Sequence, residues 1–281
     1  MTDASAVEAV IGVAVTSLTE TVGGFTSART YRALLDDGRT VFAKIATDDA
    51  GRETIALEAR ALRLGAAPMP RLFGADSPGG VLVTEWLDAE WSPPLHEPTP
   101  LWVSIDALAE LDPPEELFLV FQGAGREWWS DVVAVDHDRL DLPWIRRHVE
   151  VLRTASLAAD TSGDRLLHGD LGPGNWCHDH ARRWRFVDWG AAHRGNPLVD
   201  HTIASIRVGR STGSPTPTPR LRARPEFAAF VTGRMVAETV ETDWSGTPPH
   251  ALTDRLDDID AGLRLCAVLF DLEPPALRGR R

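Results

Sequence analysis

The sequence predicts an α+β fold: a small antiparallel sheet with one helix, followed by a mainly helical part. Three observations predict it. Period-two apolar runs joined by tight-turn residues fill most of the first 88 residues. A single helical pattern interrupts them. From about residue 100 onward, patterns of period 3.6 take over. We place the division at 88/89, because the stretch DAEWSPPLHEPTP that begins at Asp88 is rich in proline and turn residues.

Residues 6–14 suit a short helix or a strand. TETVGGFTSARTYRALLDDGRTVFAKIA then reads as strand, glycine turn, strand, DDGR hairpin turn and strand. In the last of these strands, alternation sets Phe42, Lys44 and Ala46 on one face and Val41, Ala43 and Ile45 on the other. RETIALEARALRLG has helical composition and a stop at Gly65. Ile55, Glu58 and Leu62 fall on one stripe of that helix, so a carboxylate stands among apolar side chains. RLFGADSPGGVLVTEWLDA supplies two more strands around a Pro-Gly-Gly turn. Helices are expected at about 101–111, 139–158, 198–210, 226–241 and 250–270, with short strands at RLLHGD and WRFVDW. Residues 211–219 read as a loop, and the terminal RGRR as a frayed tail.

Composition narrows the function. The 281 residues carry a formal net charge of −12, which disfavours nucleic acid and anionic membrane as partners. The acidic leader MTDASAVEAVIGVAV does not read as a signal peptide, and no run approaches a membrane span. Cys177 and Cys266 have no metal-type or redox-type spacing, so a reduced, cytoplasmic protein is expected, a monomer or a homodimer. Twenty-eight of the 29 basic residues other than histidine are arginines; Lys44 is the one lysine. No G-x-x-x-x-G-K-[ST] and no G-x-S-x-G is present. His178 and His180 lie in CHDHARR, which reads as a hairpin turn and not as a zinc site.

The strongest signal is LLHGDLGPGNW followed by RWRFVDWG. It sets Asp170, Asn175 and Asp188 at the exits of apolar strands. Two carboxylates and an amide there suit a hard cation that shares its shell with phosphates. His168-Gly169-Asp170 with Asn175 five residues on, then Val187-Asp188-Trp189-Gly190, resembles the catalytic and metal segments of the aminoglycoside phosphotransferases, segments that choline kinases and other small-molecule kinases share. The resemblance extends upstream to Gly23, Gly24 and Ser27, to Lys44 and to Glu58, and covers roughly residues 15–210.

That resemblance implies a bilobal protein-kinase-like fold, with a nucleotide-binding N-lobe at 1–88 and a C-lobe at 89–281. It implies a kinase that uses ATP or GTP with Mg²⁺. Asp170 would orient the acceptor hydroxyl, and Asn175 and Asp188 would hold the metal. Gly23, Gly24, Ser27, Phe42, Lys44, Glu58, Thr84, Glu85, Trp86 and Leu87 would serve the nucleotide, the last four as the segment that links the lobes. Phe42 either stacks on the base or is a core phenylalanine. His168 would brace the catalytic loop, and Asp200 would cap a helix or brace that loop. GGFTSA departs from a full G-x-G-x-x-G. Gly169 stands where protein kinases carry an arginine, so control by a phosphorylated activation loop is not expected.

The acceptor is less legible. Glu115, Glu116, Glu127, Asp131, Glu238, Glu241, Asp243, Asp254, Asp257, Asp258 and Asp260 form acidic runs, with Asp254, Asp257 and Asp258 expected on one helix face. Such a face is either solvated or holds a polycation. With the net charge, it favours a basic antibiotic, an aminoglycoside or a capreomycin/viomycin-type peptide. A metabolic kinase for a sugar, a choline-like alcohol or an amino acid stays open, as does a non-catalytic binding module. Trp128 and Trp129 either line the acceptor pocket or pack in the core.

Overall fold

A computed structural model describes residues 2–21, 27–93, 95, 98–118, 128–129, 140–242, 244, 247 and 249–276. The chain divides into two compact units. The first comprises Met1–Pro93, Glu110–Phe118 and His168–Arg194; the second comprises Pro94–Ala109, Leu119–Leu167 and Gly195–Arg281. The segment carrying HGD and VDWG, which the sequence reading set after residue 88, therefore belongs to the first unit.

In the first unit, helix α1 (Asp3–Ile11) precedes strands β1 (Val15–Glu20), β2 (Ala28–Leu35) and β3 (Thr40–Ala46). Helix α2 (Asp49–Leu62) follows, then β4 (Leu72–Asp76) and β5 (Val81–Glu85). The five strands form one sheet in the order β1-β2-β3-β5-β4, antiparallel throughout. Alternation along β3 puts Val41, Ala43 and Ile45 into a core with Val7, Tyr31, Ala33, Leu35, Val81 and Val83, closed by α1. Of residues 6–14, 6–11 are thus helix, not strand, and Gly12 caps its end. The opposite face carries Phe42 and Lys44.

Helix α2 starts earlier than its composition indicates, because the Asp48 carboxylate accepts from the Gly51 N–H at 2.8 Å and caps it. Its buried stripe includes Ile55, Glu58 and Leu62, the three positions expected there. A second small sheet of this unit pairs β6 (Glu90–Trp91) with β8 (Trp176–His178) and β8 with β9 (Trp184–Phe186). CHDHARR is the β8–β9 hairpin.

The second unit is mainly helical: α3 (Thr99–Leu108), α4 (Leu142–Ala158), α5 (Leu198–Thr212), α6 (Pro219–Ala223), α7 (Glu226–Glu241) and α8 (Pro249–Leu269), with the short strand β7 (Arg165–Leu167). Helix α7 packs on α4 and α8, and α8 on α5. Trp129 is fully buried and its indole N–H donates to the Ala229 carbonyl at 3.1 Å; Trp128 is also buried. Both belong to the core, as one of the two readings has it.

Candidate active site

Lys44 stands on β3 opposite Thr30 of β2 and Leu82 of β5. It is 6% exposed and Glu58 of α2 is 3% exposed. An unpaired charge at that depth would be costly, and neither group is unpaired. The Lys44 ammonium donates to Glu58 Oε2 at 2.7 Å and to Asp188 Oδ1 at 2.8 Å. Burial works against the Lys44 charge, but the Glu58 and Asp188 carboxylates outweigh it and hold the ammonium above the usual lysine range. Burial likewise opposes the Asp188 carboxylate, and Lys44 overcomes it, so Asp188 titrates below the usual carboxylate range. At Glu58 burial dominates and pushes the carboxyl up, with Lys44 opposing.

Glu58 also accepts from the Trp189 backbone N–H. This joins α2 to the turn that follows Asp188. Close approach there requires Gly190, since a Cβ at that position would lie 2.3 Å from Thr54 Cγ2 of α2. Asp188 itself adopts a left-handed backbone, φ 63° and ψ 63°, which is costly for a non-glycine residue. The Trp189 indole N–H donates to the Phe186 carbonyl at 2.8 Å and locks the turn from inside.

Asp170 lies after β7 in a loop braced by His168. The Asp170 N–H donates to His168 Nδ1 at 3.3 Å, so the imidazole proton sits on Nε2, which donates to the Val187 carbonyl at 2.9 Å. The histidine thus spans the two loops, as expected for a bracing residue. Gly169 has φ +81°, and a Cβ there would meet the Ala191 carbonyl oxygen at 2.4 Å. An arginine is excluded at this position on steric grounds. Asn175 Nδ2 donates to the Asp170 carbonyl at 2.8 Å and to its carboxylate at 2.9 Å. The Val187 N–H returns to the Asn175 carbonyl at 3.0 Å. Lys44, Glu58 and Asp188 therefore form one linked group, Asp170 and Asn175 another, and the 187–188 backbone connects them.

The remaining expected positions divide. Gly23 and Gly24 lie outside the described residues. Ser27 is committed locally, since its hydroxyl donates to the Asp48 cap of α2. Phe42 is half-buried, aligned with Arg32 and Thr84 across the sheet on the face that carries Lys44. Thr84 is buried, and its hydroxyl donates to the Glu85 carbonyl at 3.4 Å. The Trp86 ring lies 5.3 Å from the Arg32 guanidinium, and Leu87 is half-buried in a stretch without regular structure. The Glu85 side chain points to structural partners: it accepts from the Arg71 N–H at 2.7 Å and from Arg185 at 2.9 Å. Sequence reasoning missed Arg185, whose signal was a charge between the buried Trp184 and Phe186 of β9. It also missed Thr54, which had none.

The acidic runs are largely neutralised. Arg210 bonds Asp254 at 2.5 Å and Asp258 at 3.1 Å, and Arg207 bonds Asp258 at 3.3 Å. Arg234 and Arg255 hold Glu238, and Arg264 holds Asp260. Asp254, Asp257 and Asp258 lie on one helix at the expected spacing but differ in surroundings: Asp258 is buried and Asp254 half-buried, both paired with arginines of α5, whereas Asp257 is exposed. Glu115, Glu116, Glu241 and Asp257 are exposed without an ion pair among the described residues. Glu127, Asp131 and Asp243 lie outside them. Asp200 is buried in the first turn of α5, where Asn196 accepts from the Leu198 N–H. Among the described residues no three histidines, cysteines or acids gather as a metal site, His178 and His180 included, and no helix is long and apolar enough to cross a membrane.

Residues 19–235 match the model of the phosphotransferase enzyme family, APH. The chain belongs to that family. It is a phosphotransferase with an alcohol group as acceptor, built on a protein-kinase-like α+β fold. No curated protein matches the sequence. Among solved structures, this phosphotransferase is similar to a protein assigned as a fructosamine-3-kinase from Thermobifida fusca YX-ER1, at 20% identity and a TM-score of 0.58, over 94% of this chain and 99% of the other. It is similar to the aminoglycoside phosphotransferase APH(4)-Ia in ternary complex with ADP and hygromycin B, at 14% identity and 0.57, over 96% and 98%. A choline/ethanolamine kinase family protein from Mesorhizobium loti matches at 18% and 0.57, over 91% and 88%.

Proposed function

We propose that this phosphotransferase is a small-molecule kinase that moves the γ-phosphoryl group of ATP or GTP to an acceptor hydroxyl, with Mg²⁺. The observation that carries the reading is the buried Lys44–Glu58–Asp188 group. A fixed ammonium beside a carboxylate that keeps a second oxygen suits nucleotide phosphates and a metal together. The family relatives crystallised with ADP or AMP-PNP support a nucleotide co-substrate.

The donor chemistry fits a magnesium ion. Both partners of the Asn175 amide nitrogen are acceptors, so its –NH₂ must face them and its oxygen remains for a cation. Asp188 commits Oδ1 to Lys44 and retains Oδ2. Two hard oxygen donors, completed by phosphates and water, are what Mg²⁺ accepts. The ion, when bound, would supply charge neutralisation at the phosphates. Lys44 would hold phosphate oxygens. The Asp170 carboxylate would receive the hydroxyl proton as the new O–P bond forms, the bond from the γ-phosphorus to its bridging oxygen breaks and the nucleoside diphosphate departs. Phe42, with Thr84, Trp86 and Leu87, would form the base end.

For the acceptor, a basic antibiotic is supported by the net charge of −12 and by the likeness to a hygromycin B-bound relative. Modification would confer resistance. The arginine pairing of Glu238, Asp254, Asp258 and Asp260 withdraws the most specific part of that support. It favours a second reading, a metabolic kinase for a sugar or an amino-alcohol, in keeping with the fructosamine-kinase and choline-kinase relatives. The test is phosphoryl transfer from ATP and GTP with Mg²⁺ across both acceptor classes, with Asp170→Ala as control. Turnover is expected to fall by about 10²–10⁴-fold in the variant. Equal turnover in both proteins would overturn the role of Asp170. Unchanged drug susceptibility of an expressing bacterial host would remove the antibiotic reading and leave the metabolic one.

A further inference from the structure

Glu85 is the last residue of β5, and residues 86–89 beyond it have no regular structure. Arg185 is the middle residue of β9, three residues before Asp188. Their side chains meet: Arg185 Nη2 donates to Glu85 Oε1 at 2.9 Å and to the Met69 carbonyl at 2.8 Å. Asp179 lies 3.8 Å from the other terminal nitrogen of the guanidinium. The Arg185 side chain is 14% exposed, so this is not a solvated surface pair. The second Glu85 oxygen accepts from the Arg71 N–H, and the Glu85 N–H donates to the Arg71 carbonyl at 2.9 Å. On the other side, the Phe186 N–H donates to the Pro68 carbonyl at 3.0 Å and the Val187 N–H to the Asn175 carbonyl at 3.0 Å. Residues 185, 186 and 187 are thus each tied down, and Asp188 follows in a backbone conformation that its neighbours must enforce.

We infer that Arg185 is a positioning residue that couples the 84–87 segment to Asp188, so that the base end and the metal end of the nucleotide site are set as one unit. The inference rests on the proposed nucleotide and metal roles of those residues. Arg185 reaches none of the groups assigned to the reaction; it acts through the strand that delivers Asp188 and through the carboxylate that ends β5. The guanidinium divides its donors, with Nη2 on the Glu85 carboxylate and the Met69 carbonyl and Nη1 toward Asp179, a spread that a single ammonium does not match.

The test is a double-mutant cycle on the full chain, with Arg185→Met, Glu85→Gln and the pair, read by the dissociation constant of ATP with and without Mg²⁺ and by melting temperature. Each single variant is expected to weaken Mg²⁺-dependent ATP binding roughly tenfold, and the pair no more than either alone, because both remove the same link. Arg185→Lys should recover part of the loss, since an ammonium keeps the charge and can donate to Glu85 and Met69, but it is shorter and lacks the second terminal nitrogen that faces Asp179. Losses that multiply in the pair, or variants that bind Mg²⁺–ATP like the wild type, would overturn the inference. Should Arg185→Met fail to fold, Glu85→Gln and Arg185→Lys carry the comparison. A wild-type protein that binds no nucleotide would instead bring down the proposed function, and that outcome is distinct because it appears before any substitution.

Discussion

In the first unit a single ammonium stands between two carboxylates, one of which keeps an oxygen for another partner. In the second unit Arg207 and Arg210 of α5 close on Asp254 and Asp258 of α8, and Arg234 and Arg255 close on Glu238. Both arrangements offset the cost of partly buried charge. They differ in what is left over. Excess carboxylate at Lys44 gives the group to which the proposed function assigns metal and phosphate. Matched arginines between α5 and α8 give a joint between helices. An acidic run in a sequence is therefore no guide to a cation-binding surface until its partners are known.

The sharpest way to break this contrast is Lys44→Arg. The larger planar fork does not fit a slot built for one nitrogen bonded to two carboxylates, and phosphoryl transfer is expected to fall by about 10²-fold, alongside a loss of melting temperature from overpacking that leaves the protein folded. Wild-type turnover would mean that any cation suffices at β3. The converse substitution is Arg210→Met. It leaves the mostly buried Asp258 with Arg207 alone and is expected to cost about 1–3 kcal/mol of stability, discounted for the partial exposure of Arg210. Denaturant titration should register the loss while Mg²⁺–ATP binding stays intact. A binding defect without a stability defect would move Asp254 and Asp258 into the functional group.

The smallest effect is on pH dependence. Burial holds the His201 imidazole below the usual histidine range, although Asp106, at 3.1 Å, pulls the other way. The unfolded chain then binds more protons than the folded one as pH falls below about 6.5, so stability declines toward acid. His148 and His178 are shifted the same way by burial. His201→Gln should flatten, not abolish, the fall in melting temperature between pH 7 and 5; an unchanged slope would assign it to the other two. Lys44 and Asp188 contribute no slope in that window. Asp188 is stabilising above the ordinary carboxylate range and loses this only in stronger acid. Lys44 is stabilising below the lysine range and loses this only in strong alkali.

Much of the fold was legible because its signals are local. Alternation in VFAKIA separates core from site, and the stripe Ile55, Glu58, Leu62 places a carboxylate on the buried side of α2. The boundaries of α7 fall where the periodicity sets them. The start of α2 was not legible, because the cap lies at Asp48, before the apolar pattern begins. The α5–α8 pairing was equally hidden: Arg210 and Asp258 are 48 residues apart, and only tertiary packing turns a row of aspartates inward. Arg185 and Glu85, 100 residues apart, are invisible for the same reason. What a motif displays is the set of groups that must be there; what holds them at distance is written in residues whose partners are remote.

The burial of Lys44 has a practical consequence. It is the one side-chain amine of the chain and is only 6% exposed, so the folded surface offers amine-acylating reagents little beyond the chain's own N-terminus. Acylation of the ε-nitrogen, read at the peptide that carries Lys44 and so apart from the N-terminal amine, would act as a clock for the opening of the sheet–helix joint. A nucleotide bound at the proposed site should slow that clock, which offers a label-based count of occupied molecules that needs no knowledge of the acceptor.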